Sequence, residues 1–97
     1  MKTFIALELA SKLYQACEKL KLKNPIRDQL LRASLSIALN LGEGSGRSSR
    51  KDKKRFYVIA LGSTREVQVI VKIINNQVLM KEYDRLGALV YGLIQKT

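Results

Sequence analysis

The feature that most constrains the fold of this chain is a glycine- and serine-rich segment between two long apolar helical patterns. Gly42, Gly44 and Gly46 lie close together, with serines interleaved. Glycine accepts backbone conformations that other residues avoid, so such a cluster is expected to end a helix and let the chain reverse. The segment therefore predicts a turn between two helices, with the first of them ending near residue 41.

The residues after this turn predict the start of another helix. Ser49 is expected to cap it, and Asp52 follows at capping-box spacing. Positive charge is densest here, although cations at a helix N-terminus oppose the helix dipole by roughly 0.3–1 kcal/mol each when exposed. The run is therefore either a solvated surface or an anion-binding site. The candidate nucleic-acid-binding residues are Arg47, Arg50, Lys51, Lys53, Lys54 and Arg55.

The spacing of the glycines excludes two known phosphate-binding loops. A P-loop places four residues between its first glycine and a Gly-Lys pair, whereas the run GEGSGRSS is shorter and carries arginine. The dinucleotide fingerprint GxGxxG follows a strand, and GEGSG differs in both spacing and context. The glycines are therefore interpreted as a helix–helix turn.

Apolar residues recur at helical spacing in four segments, 4–20, 25–41, 50–75 and 81–95. No alternating strand pattern accompanies them. Four helices with short connections predict a single all-α domain over residues 1–97, folded as an antiparallel up-down-up-down four-helix bundle.

The same periodicity predicts which side chains face the core. Helices two and three are apolar on more than one side, which indicates that further copies of the chain cover part of them. Gly62 is expected to admit a close approach of helix two near Ala33 and Ser34. The expected core stripes are Ile5, Leu9, Leu13, Ala16 and Leu20 in helix one, and Leu79, Tyr83, Leu86, Val90 and Leu93 in helix four.

The charge balance indicates a polyanionic partner. The 97 residues include 18 Lys and Arg against 8 Asp and Glu, a formal net charge of +10. Nucleic acid is the first interpretation and an anionic membrane surface the second. No stretch approaches the roughly 20 apolar residues of a membrane span, so we expect a cytoplasmic protein. The basic residues cluster at a helix start rather than along one face opposite an apolar stripe, so we expect no membrane partner either.

The chain offers little catalytic chemistry. It contains no histidine, and its one cysteine, Cys17, lies in a helical pattern where a small buried residue is expected. We therefore predict no enzyme activity, no metal site and no cofactor.

The run from residue 35 to residue 67, LSIALNLGEGSGRSSRKDKKRFYVIALGSTREV, resembles the core pattern of a known family. The family is called four helix bundle protein, or 23S rRNA-intervening sequence protein. Gly42 stands where the family usually has alanine, and Ala38 where it often has proline. The residues that match are Ser36, Ile37, Asn40, Glu43, Gly44, Gly46, Arg47, Ser49, Arg55, Phe56, Ala60, Gly62, Ser63 and Glu66.

The resemblance implies a ring-shaped homo-oligomer, a pentamer, and association with ribosomal RNA gene insertions. A related branch, the accessory proteins of diversity-generating retroelements, binds a reverse transcriptase and nucleic acid. Two functions therefore stay open: an oligomeric nucleic-acid-binding protein, RNA-binding above all, and an accessory scaffold for a reverse transcriptase or another RNA-processing protein.

The polar residues of the family pattern are interpreted as structural. A buried polar group left unpaired costs roughly 1–3 kcal/mol, so partners are expected for them. The expected roles are helix capping, or hydrogen bonding to Arg47, Arg55 or Arg65 across a contact within the bundle or between subunits. The residues concerned are Asn40, Glu43, Ser63 and Glu66.

Overall fold

The computed structural model describes residues 2–97 as four helices, with no strand in that range: α1 (Lys2–Glu18), α2 (Ile26–Ser45), α3 (Arg50–Ile73) and α4 (Gln77–Lys96). Helix α2 packs against α1 and α3, and α4 packs against α3 and α1. The particle measures 40 × 20 × 18 Å along its principal axes. The predicted all-α fold of four compactly packed helices is confirmed.

Each helix contributes one stripe of side chains to a single core. Helix α4 buries the stripe that periodicity predicts, and α2 buries Leu30, Ile37 and Leu41. The expected stripe of α1 is confirmed at Leu13 and wrong at Ile5, while Leu9, Ala16 and Leu20 are only partly buried against the core. Ala6 and Ala10 are buried while Ile5 is 47% exposed, because the two small side chains let α1 lie close to its neighbours.

Three hydroxyl and thiol groups meet inside this core. The Tyr83 hydroxyl lies 2.8 Å from Ser34 Oγ and 3.4 Å from Cys17 Sγ, which joins α4 to α2 and α1. Burial raises the pKa of Tyr83 far above its ordinary value, with the Cys17 contact adding to the effect. Burial likewise raises the pKa of Cys17. The prediction that Cys17 is a small buried residue is confirmed.

The expected end of the second helix near residue 41 is wrong. Helix α2 continues to Ser45, and Gly46 caps it with a φ of −86°, an ordinary helical value. None of the glycines in the described range has a positive φ. Gly42 and Gly44 instead lie within the helix, so backbone freedom is not what places glycine there.

The connection between α3 and α4 uses asparagines instead. Asn75 takes the left-handed conformation with a φ of 55°. The Asn76 side chain accepts a hydrogen bond from the Leu79 backbone N–H at 3.0 Å. This cap starts α4 at Gln77, four residues before the predicted position, because it satisfies a backbone donor that a helix start leaves free.

None of the helices described over residues 2–97 combines the length and the apolar character needed to cross a membrane.

Candidate nucleic-acid interface

A serine cap fixes the start of α3. Ser49 has extended backbone angles, and its hydroxyl accepts a hydrogen bond from the Asp52 N–H at 3.1 Å. The backbone then enters the helix directly, with the Lys53 N–H bonded to the Ser49 carbonyl at 3.0 Å. The predicted cap at Ser49 is confirmed, and it sets the direction in which the following side chains leave the helix.

Tyr57, in the second turn of α3, contacts both α2 and α1. Its ring faces Gly44 on α2, and its hydroxyl lies 3.3 Å from Thr3 Oγ1 on α1. Because Tyr57 lies against Gly44 near the end of α2, the preceding residues 50–56 of α3 extend beyond that end. We call the cationic residues of this region the basic corner. Its members are Arg47, Arg50, Lys51, Lys53, Lys54 and Arg55.

Half of the basic corner is held by neighbouring groups. Arg47 Nη2 donates to Glu43 Oε2 at 2.9 Å, and Lys53 Nζ donates to the Ser45 carbonyl at 3.2 Å. The Cζ atoms of Arg47 and Arg55 lie 4.8 and 4.7 Å from the centroid of the Phe56 ring. A cation this close to an aromatic face is attracted by the ring quadrupole, so these two guanidinium groups have a preferred position.

The other half projects into solvent. Arg50, Lys51 and Lys54 are exposed, and within residues 2–97 their side chains make no hydrogen bond or ion pair. Asp52 is the only acidic residue of the first turn, and its backbone rather than its carboxylate joins the cap. The corner therefore presents uncompensated positive charge that an external anion can reach.

Two further lysines belong to the same end of the molecule, and they were not predicted from the sequence. Lys2 lies beside Lys96, whose ammonium group lowers the pKa of Lys2. The Thr3–Tyr57 contact brings the start of α1 to the side of α3. Neither lysine belongs to a charge run, and the two lie at opposite ends of the sequence. Only the order of the helices could have indicated that they come together.

The polar residues of the family pattern find hydrogen-bond partners along α2 and α3, most of them within the pattern. Asn40 donates to the Ser36 carbonyl at 2.9 Å and contacts Ser36 Oγ at 3.1 Å. Ser36 Oγ in turn lies 2.8 Å from Ser63 Oγ. Glu66 accepts a hydrogen bond from Arg32. The partner of Glu66 is therefore an arginine outside the expected set of Arg47, Arg55 and Arg65, whereas Glu43 does bind Arg47.

The glycines of the pattern have different roles. Gly44 is buried against α3, and Gly46 ends α2. Gly62 is exposed, and a Cβ atom there would meet nothing within 4 Å. The expected approach of helix two at Gly62 is therefore wrong, because that side of α3 faces away from the other helices of the same chain.

The chain matches a known family of proteins. A family model described as 23S rRNA-intervening sequence protein matches residues 5–92. Neither the curated proteins nor the solved structures contain a match.

Proposed function

Because this chain belongs to the 23S rRNA-intervening sequence protein family, we propose that it is a non-enzymatic, oligomeric protein of the cytoplasm that binds nucleic acid through its basic corner. The family name refers to a segment of ribosomal RNA, which directs the proposal to RNA before DNA. The observation that carries it is the set of exposed, unpaired cations Arg50, Lys51 and Lys54 in the described range. Phosphate groups are their natural partners.

Such an interface would bind mainly by electrostatics. Each phosphate neutralised by lysine or arginine releases counterions, which lowers the logarithm of affinity by roughly 0.7–0.9 per unit of log salt. Contacts to phosphate fix position and do not distinguish bases. The formal net charge of +10 adds long-range attraction to the same ligand. Affinity is therefore expected to be strongly salt-dependent.

We also propose that copies of the chain assemble through the outward side of α3. Val58, Gly62, Val69 and Ile73 share that side, since their spacings of four, seven and four residues return to one face. The three large members are 50%, 59% and 65% exposed, and Gly62 leaves room for a second helix to approach. Leu35 and Leu39 add exposed apolar surface on α2.

A closed ring fits these surfaces better than a symmetric dimer. A ring of identical subunits needs two different faces that complement each other, whereas a dimer uses one face twice. The second face is offered by α1, where Phe4 and Ile5 are 58% and 47% exposed beside a groove reaching Arg85 on α4. The up-down-up-down order follows from the short connections between the helices, and the pentameric number from the family resemblance. A ring would repeat the basic corner around its axis and strengthen weak contacts by avidity.

The proposal assigns no catalytic residue, metal or cofactor. The polar side chains of the family pattern have partners within the chain, as in the Asn40, Ser36 and Ser63 series and in the Arg32–Glu66 pair. Their contacts hold α2 against α3 and thereby support the basic corner. A structural role accounts for them without a substrate.

Charge reversal tests the proposal. Lys51→Glu with Lys54→Glu should abolish RNA and DNA binding at moderate salt, and so should the triple variant that also carries Lys53→Glu. The matched control is Lys19→Glu with Lys21→Glu, two exposed lysines at the α1–α2 connection that change the net charge equally. Binding is measured by fluorescence anisotropy at several salt concentrations. Equal loss in both double variants, or affinity indifferent to salt, would contradict the proposal.

A second candidate is an accessory scaffold for a protein partner such as a reverse transcriptase. The exposed apolar side chains of α2 and α3 favour it, because they fit a protein surface as well as a second copy. This function would give a complex with that enzyme that survives nuclease treatment and persists in the Lys51 and Lys54 variant.

A further inference from the structure

We infer that Arg55, held against Phe56, is a stacking position for an unpaired nucleobase, so that the basic corner prefers single-stranded nucleic acid to a duplex. The inference rests on the proposed function and adds the class of ligand that the corner selects. Exposed point charges cannot make this selection, because phosphates are present in both forms of nucleic acid.

The geometry distinguishes Arg55 from the other cations of the corner. Its Cζ atom lies 4.7 Å from the Phe56 centroid, while the residue as a whole is exposed. Arg47 approaches the same ring at 4.8 Å but is also bound to Glu43 at 2.9 Å. Arg47 is thus committed within the chain, whereas Arg55 keeps its hydrogen-bond donors free of protein partners in the described range.

The aromatic ring that Arg55 contacts belongs to a well-packed part of α3. Phe56 is half-buried, and the next residue, Tyr57, is 3% exposed and packs against Gly44. The Phe56 ring therefore belongs to the packed part of α3 and not to the loop before it. A guanidinium group placed against it loses less side-chain freedom on binding than a free lysine would.

The chemistry of the guanidinium group decides the ligand. It is planar and stacks on the faces of nucleobases, and bases offer those faces when they are unpaired in single strands, loops and bulges. Stacking tolerates any base, because every base has a π-face. The neighbouring Lys51 and Lys54, which have no aromatic contact, would hold the phosphates on either side.

The test compares two strands with the same number of phosphates. One is a single-stranded RNA, and the other has abasic positions in place of its central bases. The intact protein should bind the base-bearing strand about two- to fivefold more tightly, the size expected of one cation–π contact at an exposed site. The ratio of the two affinities isolates stacking from charge.

Two charge-conserving substitutions then locate the effect. Arg55→Lys should bring the ratio close to one, because lysine keeps the positive charge but lacks the planar guanidinium group that stacks on a base. Arg50→Lys is the matched control, since Arg50 is exposed in the same helix and has no aromatic contact, and it should leave the ratio unchanged. Circular dichroism checks that both variants keep their helix content.

The outcomes separate the two proposals. Equal affinity of the intact protein for base-bearing and abasic strands would overturn the stacking inference and leave the proposed function in place. So would a ratio that survives Arg55→Lys. Failure to bind either strand at low salt would overturn the proposed function itself. Tighter binding to a duplex of equal phosphate number would also overturn the inference.

Discussion

Gly44 on α2 lies directly against the Tyr57 ring on α3, so closely that a Cβ atom at Gly44 would stand 2.6 Å from Tyr57 Cε1 and 3.2 Å from Phe56 Cβ. Real Cβ atoms essentially never lie as close as the first of these two contacts. The absence of a side chain at Gly44 therefore brings the end of α2 up to the start of α3. The position of the Phe56 ring and that of the basic corner both depend on this close approach.

Gly44→Ala is expected to destabilise the fold. The added methyl group must displace the buried Tyr57 ring, and overpacking of this kind costs about 1–3 kcal/mol, against a helix-propensity gain of up to about 1 kcal/mol. Gly42→Ala is the control two residues away, where a Cβ would meet nothing within 4 Å and helix propensity should stabilise by up to about 1 kcal/mol. Urea unfolding measures both. Equal stability of the two variants would show that the contact is unimportant.

A second pair of neighbouring residues tests the start of α3. Ser49→Ala removes the acceptor for the Asp52 N–H and should lower the free energy of unfolding by about 1 kcal/mol. Ser48→Ala is the matched control, because Ser48 is exposed and its side chain makes no hydrogen bond in the described range. Thermal melting distinguishes them. A loss of stability that is the same for both serines would argue against the cap.

The sequence was sufficient for the helices and insufficient for their ends. Periodicity identified four helices and the core of α4, because large apolar residues recur there with few competing positions. It misplaced part of the stripe of α1, where apolar residues fill adjacent positions and small alanines decide which side is buried. The end of α2 was misjudged because glycine has two uses, a special φ and the absence of a side chain, and only the structure distinguishes them.

The candidate interface shows the same division. The basic residues and the Ser49 cap were predicted from local sequence. Pairing across helices was not, because it depends on register: Glu66 meets Arg32, thirty-four positions away. Lys2 and Lys96 were missed for the same reason, since only the packing of the helices brings the two chain ends together.

Alkaline pH should destabilise the fold through Tyr83. Its pKa is raised in the folded state above the ordinary value of 10.0, because the hydroxyl is buried. A raised pKa contributes stability that is complete below the unfolded value and is lost as the pH rises above it. The unfolded chain ionises this tyrosine above about pH 10 while the folded chain keeps it neutral, which lowers stability by about 1.4 kcal/mol by pH 11.

Tyr83→Phe isolates this contribution from the other titrating groups. Phenylalanine loses the contacts to Ser34 and Cys17, so the variant should be less stable at neutral pH. Between pH 9 and about 11, however, its free energy of unfolding should fall less steeply with pH than that of the unmodified chain. The two slopes should differ by about 1.4 kcal/mol per pH unit near pH 11. Parallel pH profiles of the two proteins would refute the assignment.

Assembly through the outward side of α3 makes the last prediction. Val69 is 59% exposed in the single chain, and if a second copy covers it, Val69→Asp would place a carboxylate in an apolar contact without a partner. That change should weaken assembly by at least about 2 kcal/mol per contact, roughly thirtyfold. Sedimentation velocity should then show smaller species. Val78→Asp introduces the same charge at a 75% exposed position at the start of α4, outside the stripe, and should leave the assembled mass unchanged. If both variants dissociate alike, the contact does not lie on α3, and if neither does, the stripe of Val58, Val69 and Ile73 remains open to solvent in the assembled protein.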